Sequence, residues 1–347
     1  MAAQELRHKN RTVYFRKCHS APILDSESVL TQDTFEFVNL WLARRCKEAL
    51  PFWDQAKAYH KASLMLPPVS APLTTYYCFL NCVKALLIVK KRKFTDRHGV
   101  GGDWDPESKR TLSNEIIKIQ NSGIVSSLSE YLGESGSVNE FSLQGALGNI
   151  VYIHRAFRHT YPSKRDIFIP IKNLVYRKHP KDNYFWFTAE ITGRYASTQT
   201  LKTIPSSFEV DTGYEGKCVI RSKKRYKWYR HGDSFENKIR ALENFNKLHK
   251  KMRRDISYIS APVDLWYLKR NVSGSEFIDR SSLTITLAAM HRLSELSRYD
   301  PQGLSKYLDG NVNWLLSEFI RLSPVQFVDE IASELTGLEM RMPGLRP

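Results

Sequence analysis

The chain has 347 residues, with 52 lysines and arginines against 36 aspartates and glutamates, for a formal charge of +16 at neutral pH. Its 42% hydrophobic, 12% aromatic and 25% charged residues describe an ordinary globular protein and exclude a disordered, collagen-like or coiled-coil chain. At roughly 100–200 residues per domain, the length predicts two or three units.

The charge is concentrated. From Val151 to Arg254 there are 24 basic and 9 acidic residues, a net of +15, and the remainder is almost neutral. Such asymmetry points to a polyanionic partner. No run of about 18 apolar residues exists, which argues against a transmembrane helix, and the start MAAQELRHKNRTVYF lacks the apolar core of a secretory signal. Cys18, Cys46, Cys78, Cys82 and Cys218 are odd in number and hold no CxxC pair, so neither a disulfide framework nor a zinc site is indicated. Cys78 and Cys82, one helical turn apart in an apolar run, read as buried small hydrophobes. These features fit a cytoplasmic protein without membrane association.

In chain order, residues 27 to about 160 read as helical. FEFVNLWLARRCKEAL places Phe35, Phe37, Leu40, Leu42 and Ala43 at helical spacings. After the breakers Pro67, Pro68 and Pro72, TTYYCFLNCVKALLIVKK is apolar on nearly every side, so it is the expected central helix. A polar loop, FTDRHGVGGDWDPESKR, leads to amphipathic segments at Asn114–Ile119 and Ile124–Leu132, and FSLQGALGNIVYIHRAF is read as one further helix. RDIFIPI, NLVYRK, NYFWFTAEI, KCVIRS and RYKWYRH are then short, β-branched and aromatic, and predict a small sheet at about 164–232. FENKIRALENFNKLHKKM restores the helical period, and the chain from about Ile256 onward is again read as helical. Leu283, Leu287, Met290 and Leu293 form one stripe that Pro301 ends. NVNWLLSEFIRL and VQFVDEIASELTG supply two more helices, with Gly337 as the terminal cap.

The common catalytic signatures are missing: there is no GxxxxGK[ST], HExxH or GxSxG, and nothing in the histidine spacing suggests a metal or cofactor. Three features carry chemistry. Arg92 and His98 could serve as a metal-independent ribonuclease pair, the histidine moving a proton and the arginine stabilising the phosphorane; equally, Lys90 to Lys93 could complement the helix dipole, with His98 a loop residue. Arg155 and His159 share a helix face at i, i+4, as do His154 and Arg158; a solvated basic face is the plain alternative. In CVIRSKKRYKWYRHG, Arg221, Lys223, Lys224, Arg225, Lys227 and Arg230 alternate with Tyr226, Trp228 and Tyr229, and Lys247, Lys250, Lys251, Arg253 and Arg254 follow on the next helix. Cations beside aromatic faces suit single-stranded nucleic acid, RNA or DNA. A charge-protected strand edge, or a basic contact for an acidic protein, accounts for the same residues.

TTYYCFLNCVKALL with its HG loop, GIVSSL and FSLQGALGNI, together with LAAMHRLSELSRYDP, NVNWLLSEFIRL and VQFVDEIASELTG, resembles the YaaC-like bacterial proteins over most of the chain. The YY…KALL…HG arrangement also resembles the helical HEPN superfamily, many of whose members cleave RNA through an Arg-x4–6-His motif in toxin–antitoxin or anti-phage systems. Five residues separate Arg92 from His98, and three separate Arg155 from His159. The expectation is an α+β, mainly α protein: a HEPN-like helical domain at 1–163, a small basic antiparallel sheet at 164–232, and a helical domain at 233–347. Two functions remain open. One is a nucleic-acid-binding, metal-independent endoribonuclease of bacterial defence or stress. The other is a non-enzymatic subunit of a multi-protein defence assembly. HEPN resemblance also implies a homodimer, because such sites are often completed across a two-fold interface.

Overall fold

The computed structural model describes residues 3–104, 107–134, 136–261, 263 and 265–341. Short strands β1 (Gln4–Glu5), β2 (Arg7–His8), β3 (Arg11–Thr12) and β4 (Val29–Leu30) come first, followed by α1 (Thr34–Arg45), α2 (Leu50–Leu64) and α3 (Ala71–Val89). Next are β5 (Val100–Asp103), β6 (Ile116–Ile119), α4 (Ile124–Leu132), β7 (Glu140–Ser142), α5 (Leu143–Gly148) and α6 (His154–Thr160). The middle holds β8 (Phe168–Lys178), β9 (Tyr184–Ile191), α7 (Thr198–Leu201), β10 (Phe208–Val210), β11 (Cys218–Ser222), β12 (Tyr226–Lys227) and the long α8 (Phe235–Asp255). β13 (Ile256–Ile259), β14 (Leu265–Lys269), α9 (Ser282–Tyr299), α10 (Pro301–Leu308), α11 (Asn313–Thr336) and β15 (Met340–Arg341) complete the described chain.

Two cores result. The helical one is organised by α3, whose Phe79 stacks on Phe327 of α11 with ring centroids 4.1 Å apart. Cys78 and Cys82 are buried there, as their spacing implies. By length and composition α3 is the one described helix able to cross a membrane, and 67% of its apolar window is buried inside the protein. The second core lies between α8 and an eight-stranded sheet of order β10-β11-β9-β8-β14-β13, with β1 on β8 and β12 on β9. Every pairing in it is antiparallel.

Four expectations are corrected. The sheet is not small: ISYI and LWYLK, read as part of a helical end, add β13 and β14, because alternate Ile256 and Tyr258 are buried against it. Asn114–Ile119 is strand rather than helix from Ile116, with Ile117 and Ile119 buried on either side of the exposed Lys118. FSLQGALGNIVYIHRAF breaks after Gly148, where Asn149 Nδ2 donates to the carbonyls of Gly145 and Glu276. α11 runs through Pro324 as one helix. Gly337 does cap it in the left-handed conformation, at φ 73°.

Candidate functional site

α8 is amphipathic by charge. Ala241, Phe245, Leu248 and Met252 face the sheet core, so residues half a turn away must face solvent. At steps of three and four, Arg240, Lys247 and Lys251 lie in one exposed row with Asn237, Asn244 and Arg254. Arg240, Lys247 and Lys251 form no ion pair among the described residues. Two grooves run end to end along this row. One, of about 400 Å³, is lined by Asn237, Arg240, Asn244, Lys227, Tyr229 and Arg230. The other, of about 560 Å³, is lined by Lys247, Lys250, Lys251, Arg254, Ser207 and Asp279.

Several residues of the basic segment are engaged in the fold instead. Arg221 donates to Glu209 at 2.7 Å and lies 3.5 Å from Asp211, and Arg225 reaches the same Glu209 oxygen at 3.3 Å. Trp228 is buried against Phe185 and Phe245 and donates to the Arg7 carbonyl, so its face is closed to a base. Tyr229 bonds His8 at 2.9 Å, and Arg230 donates to the Lys181 carbonyl. Lys224 and Lys227 sit over the rings of Tyr226 and Tyr184, while Lys223 is exposed. Lys250 donates to the Tyr131 carbonyl at 2.5 Å and is half-buried, which pulls its pKa down. Arg254 forks onto Asp279 at 3.0 and 2.6 Å. Arg253 is fully buried and leaves the binding surface altogether.

Arg92 and His98 are not brought together. The Arg92 amide bonds the Leu87 carbonyl at the end of α3, whereas the His98 ring bonds Tyr76 Oη at 2.5 Å near its start. Eleven helical residues at about 1.5 Å each separate those anchors by roughly 16 Å. His98 lies instead beside His291 of α9, their ring centroids 5.5 Å apart, with Tyr76 edge-on to His291 at 4.8 Å. Glu295 Oε2 lies 3.8 Å from His291 Nδ1, a buried nitrogen with no hydrogen-bond partner among the described residues. Burial, then the Arg298 and Lys84 charges, lower the His98 pKa against the pull of Glu295. Burial, then His98 and Arg292, lower that of His291 to about 3. A neutral, half-exposed imidazole oriented by a tyrosine, with Arg298 near, is equipped to move a proton beside an anion.

The His98 loop is fixed by backbone. Ile124 and Val125 at the start of α4 donate to the carbonyls of Arg97 and His98 at 2.9 and 3.1 Å. Gly123, at φ 125°, packs so tightly on Gly99 that a Cβ would overlap its backbone. Gly123→Ala is therefore expected to lose about 1–3 kcal/mol of stability from strain, read by urea melts; an unchanged midpoint would show that the loop yields freely.

Arg155 and His159 do share the exposed side of α6, and the His159 ring is 5.7 Å from Trp314. His154 is buried and bonds the Val151 carbonyl, and Arg158 donates to the Pro162 carbonyl. No contact joins this pair to Arg92 or His98 among the described residues. Nor do three or more His, Cys, Asp or Glu side chains gather there as metal ligands would. The sequence reading missed His291, Glu295 and Arg298, whose only signal was polar residues inside the apolar stripe of α9. It also missed Arg240, which a helical projection of α8 would have exposed beside Lys247 and Lys251.

A helical core joined to an eight-stranded antiparallel sheet, with a basic helix closing the sheet, defines the class as a mainly α, α+β protein. The family described as YaaC-like Protein matches residues 13–335, so the chain belongs to the YaaC-like family. No curated protein and no solved structure matches it.

Proposed function

We propose that this YaaC-like protein binds nucleic acid along the exposed row of α8. The observation that carries the reading is the alignment of Arg240, Lys247 and Lys251, which have no ion pair among the described residues, with two grooves inside the stretch that holds nearly all the net charge. From Asn237 to Arg254 the row is about 25 Å long at 1.5 Å per residue, enough for several nucleotides of a single strand. Gel shifts of labelled RNA and DNA at low salt test it, and no shift of either would remove it.

A finer reading is that bound RNA is cut without metal, as HEPN-like resemblance implies, in a cytoplasmic defence or stress role. His98, positioned by Tyr76 and next to His291, favours it over the other candidates. In EDTA, the wild type is expected to cleave labelled single-stranded RNA and His98→Ala to lose about 100-fold or more, the usual share of a general acid–base group. His159→Ala is expected to keep the activity. Loss in His159→Ala alone would move the reaction to α6, and no cleavage by wild type would leave binding as the function.

A further inference from the structure

A second site lies on the sheet face turned away from α8. Side chains alternate along a strand. Phe185, Phe187 and Ala189 of β9 enter the α8 core, so Trp186, Thr188 and Glu190 face the other way. Arg177 of β8 is directly opposite Trp186, and Tyr14 bridges to Val175. Here a half-open cavity of about 390 Å³ is lined by Tyr14, Asn173, Arg177, Thr188, Tyr214 and Lys217. Small-molecule pockets run from about 300 to 1,000 Å³.

One donor of the cavity wall, on Arg177, and one on its cross-strand neighbour Trp186 outside the wall lack an acceptor. Arg177 Nε and Trp186 Nε1 are buried and make no hydrogen bond among the described residues, and Trp186 is only 5% exposed. Both atoms can only donate, so what is missing is an acceptor. The Arg177 guanidinium is 5.4 Å from the Tyr214 ring and has no ion pair among the described residues. Two carboxylates also line the cavity, and Glu5 of β1 is directly opposite Arg177. Glu190 holds Lys172 at 3.3 Å and Asn173 at 2.8 Å, and Glu5 accepts from Thr12 at 3.0 Å. Lys217 adds an exposed ammonium, and Tyr14 a ring that is 56% exposed.

We propose that this cavity binds a mononucleotide, its phosphate on Arg177 and Lys217 and its base against Tyr14. The site does not depend on the α8 reading. A free nucleoside monophosphate and the 5′-phosphorylated end of a strand carry the same chemistry.

Titration calorimetry of the full chain tests this with AMP, GMP, CMP, UMP, inorganic phosphate, and a short oligonucleotide with and without its 5′-phosphate. Wild type is expected to bind at least one nucleotide more tightly than phosphate. Arg177→Met should weaken it about tenfold or more, the worth of a charge-assisted hydrogen bond. Tyr14→Ala, at an exposed ring, should weaken nucleotide binding and leave phosphate binding unchanged. Neutralising Arg240, Lys247 and Lys251 should leave free-nucleotide binding intact, which separates this site from α8. Saturation by a free nucleotide marks the small molecule as ligand; preference for the 5′-phosphorylated oligonucleotide, lost in Arg177→Met, marks the strand end. The proposal is overturned if no probe binds at millimolar concentration, if Arg177→Met and Tyr14→Ala bind like wild type, or if phosphate binds as tightly as every nucleotide.

Discussion

Replacing Arg240, Lys247 and Lys251 together by glutamine is expected to weaken nucleic-acid binding about a hundredfold, at roughly 1 kcal/mol for each contact to a phosphate. The three lie on one row of α8 with no acid paired to them among the described residues, so no ion pair there has to break before a phosphate takes their charge. Each phosphate neutralised by a protein cation releases counterions. The log–log dependence of affinity on salt should therefore flatten by about 0.7 for each cation lost on a single strand, or about 2 for the triple variant. Stability should stay within about 0.5 kcal/mol of wild type, because exposed side chains outside special features rarely do more. Lys223→Gln with Lys224→Gln is the informative comparison. These residues are exposed on the strand end rather than in either α8 groove, and should cost less. Unchanged affinity and salt slope in the α8 variant would exclude that helix as the binding surface.

The difference between those two variants also shows what a single sequence reveals. The long elements were legible because one physical signal dominates each. α3 is apolar almost throughout, NYFWFTAEI is aromatic and β-branched, and Pro301 and Gly337 punctuate their helices by steric rules. β13 and β14 were hidden because strands of four and five residues, following a long helix, give too little periodicity to override the helical neighbours. In the basic stretch, density of charge was visible and direction was not. Arg253 and Arg254 are adjacent in sequence, yet successive helical residues point about 100° apart, so one enters the core and the other stays at the surface. Trp228 interrupts a run of cations and reads as a stacking face, but cross-strand packing on Phe185 and Phe245 takes it inward. The His98–His291 meeting was beyond reach for another reason: it joins residues far apart in the chain through the packing of α3 and α9, which no local pattern encodes.

Arg253→Met is expected to cost about 3–5 kcal/mol, because it strands a buried carboxylate whose partner is removed. Arg253 donates to Glu330 of α11 at 2.8 Å and to the Lys17 carbonyl at 2.7 Å, and lies over the rings of Tyr258 and Trp266. Around it, Lys17 meets Asp329 at 3.3 Å, Tyr258 donates to the same Asp329 oxygen at 2.8 Å, and Ser20 donates its amide to Glu334 at 3.0 Å. This network joins the N-terminal segment and α8, from the sheet core, to α11 of the helical core, so its loss should loosen both. His19 makes the prediction sharper. Its Nε2 is 2.9 Å from Glu330 Oε1, which by itself would favour a protonated ring, but Arg253 already holds that oxygen. Burial, then Arg253, keep His19 neutral down to about 3, and burial does the same for His249 against the Cys18 carbonyl. A folded pKa lowered from 6.5 means that the unfolded chain binds protons first as pH falls, so the stability these rings confer is complete above 6.5 and lost below it. Between pH 7.5 and 5.5 the loss is about 1.4 kcal/mol for each histidine. The raised pKa of Glu330, set by burial against the Arg253 charge, acts in the opposite direction, since the folded chain then takes up its proton before the unfolded one. In Arg253→Met, Glu330 is free to pair with a protonated His19, so the His19 share of the loss over the same window should shrink, with burial still opposing the charge. Urea melts of both proteins at pH 7.5 and 5.5 measure the two effects together. Equal pH dependence would show that burial alone keeps His19 neutral, and a cost under about 1 kcal/mol would show that water reaches Glu330 once the guanidinium is gone.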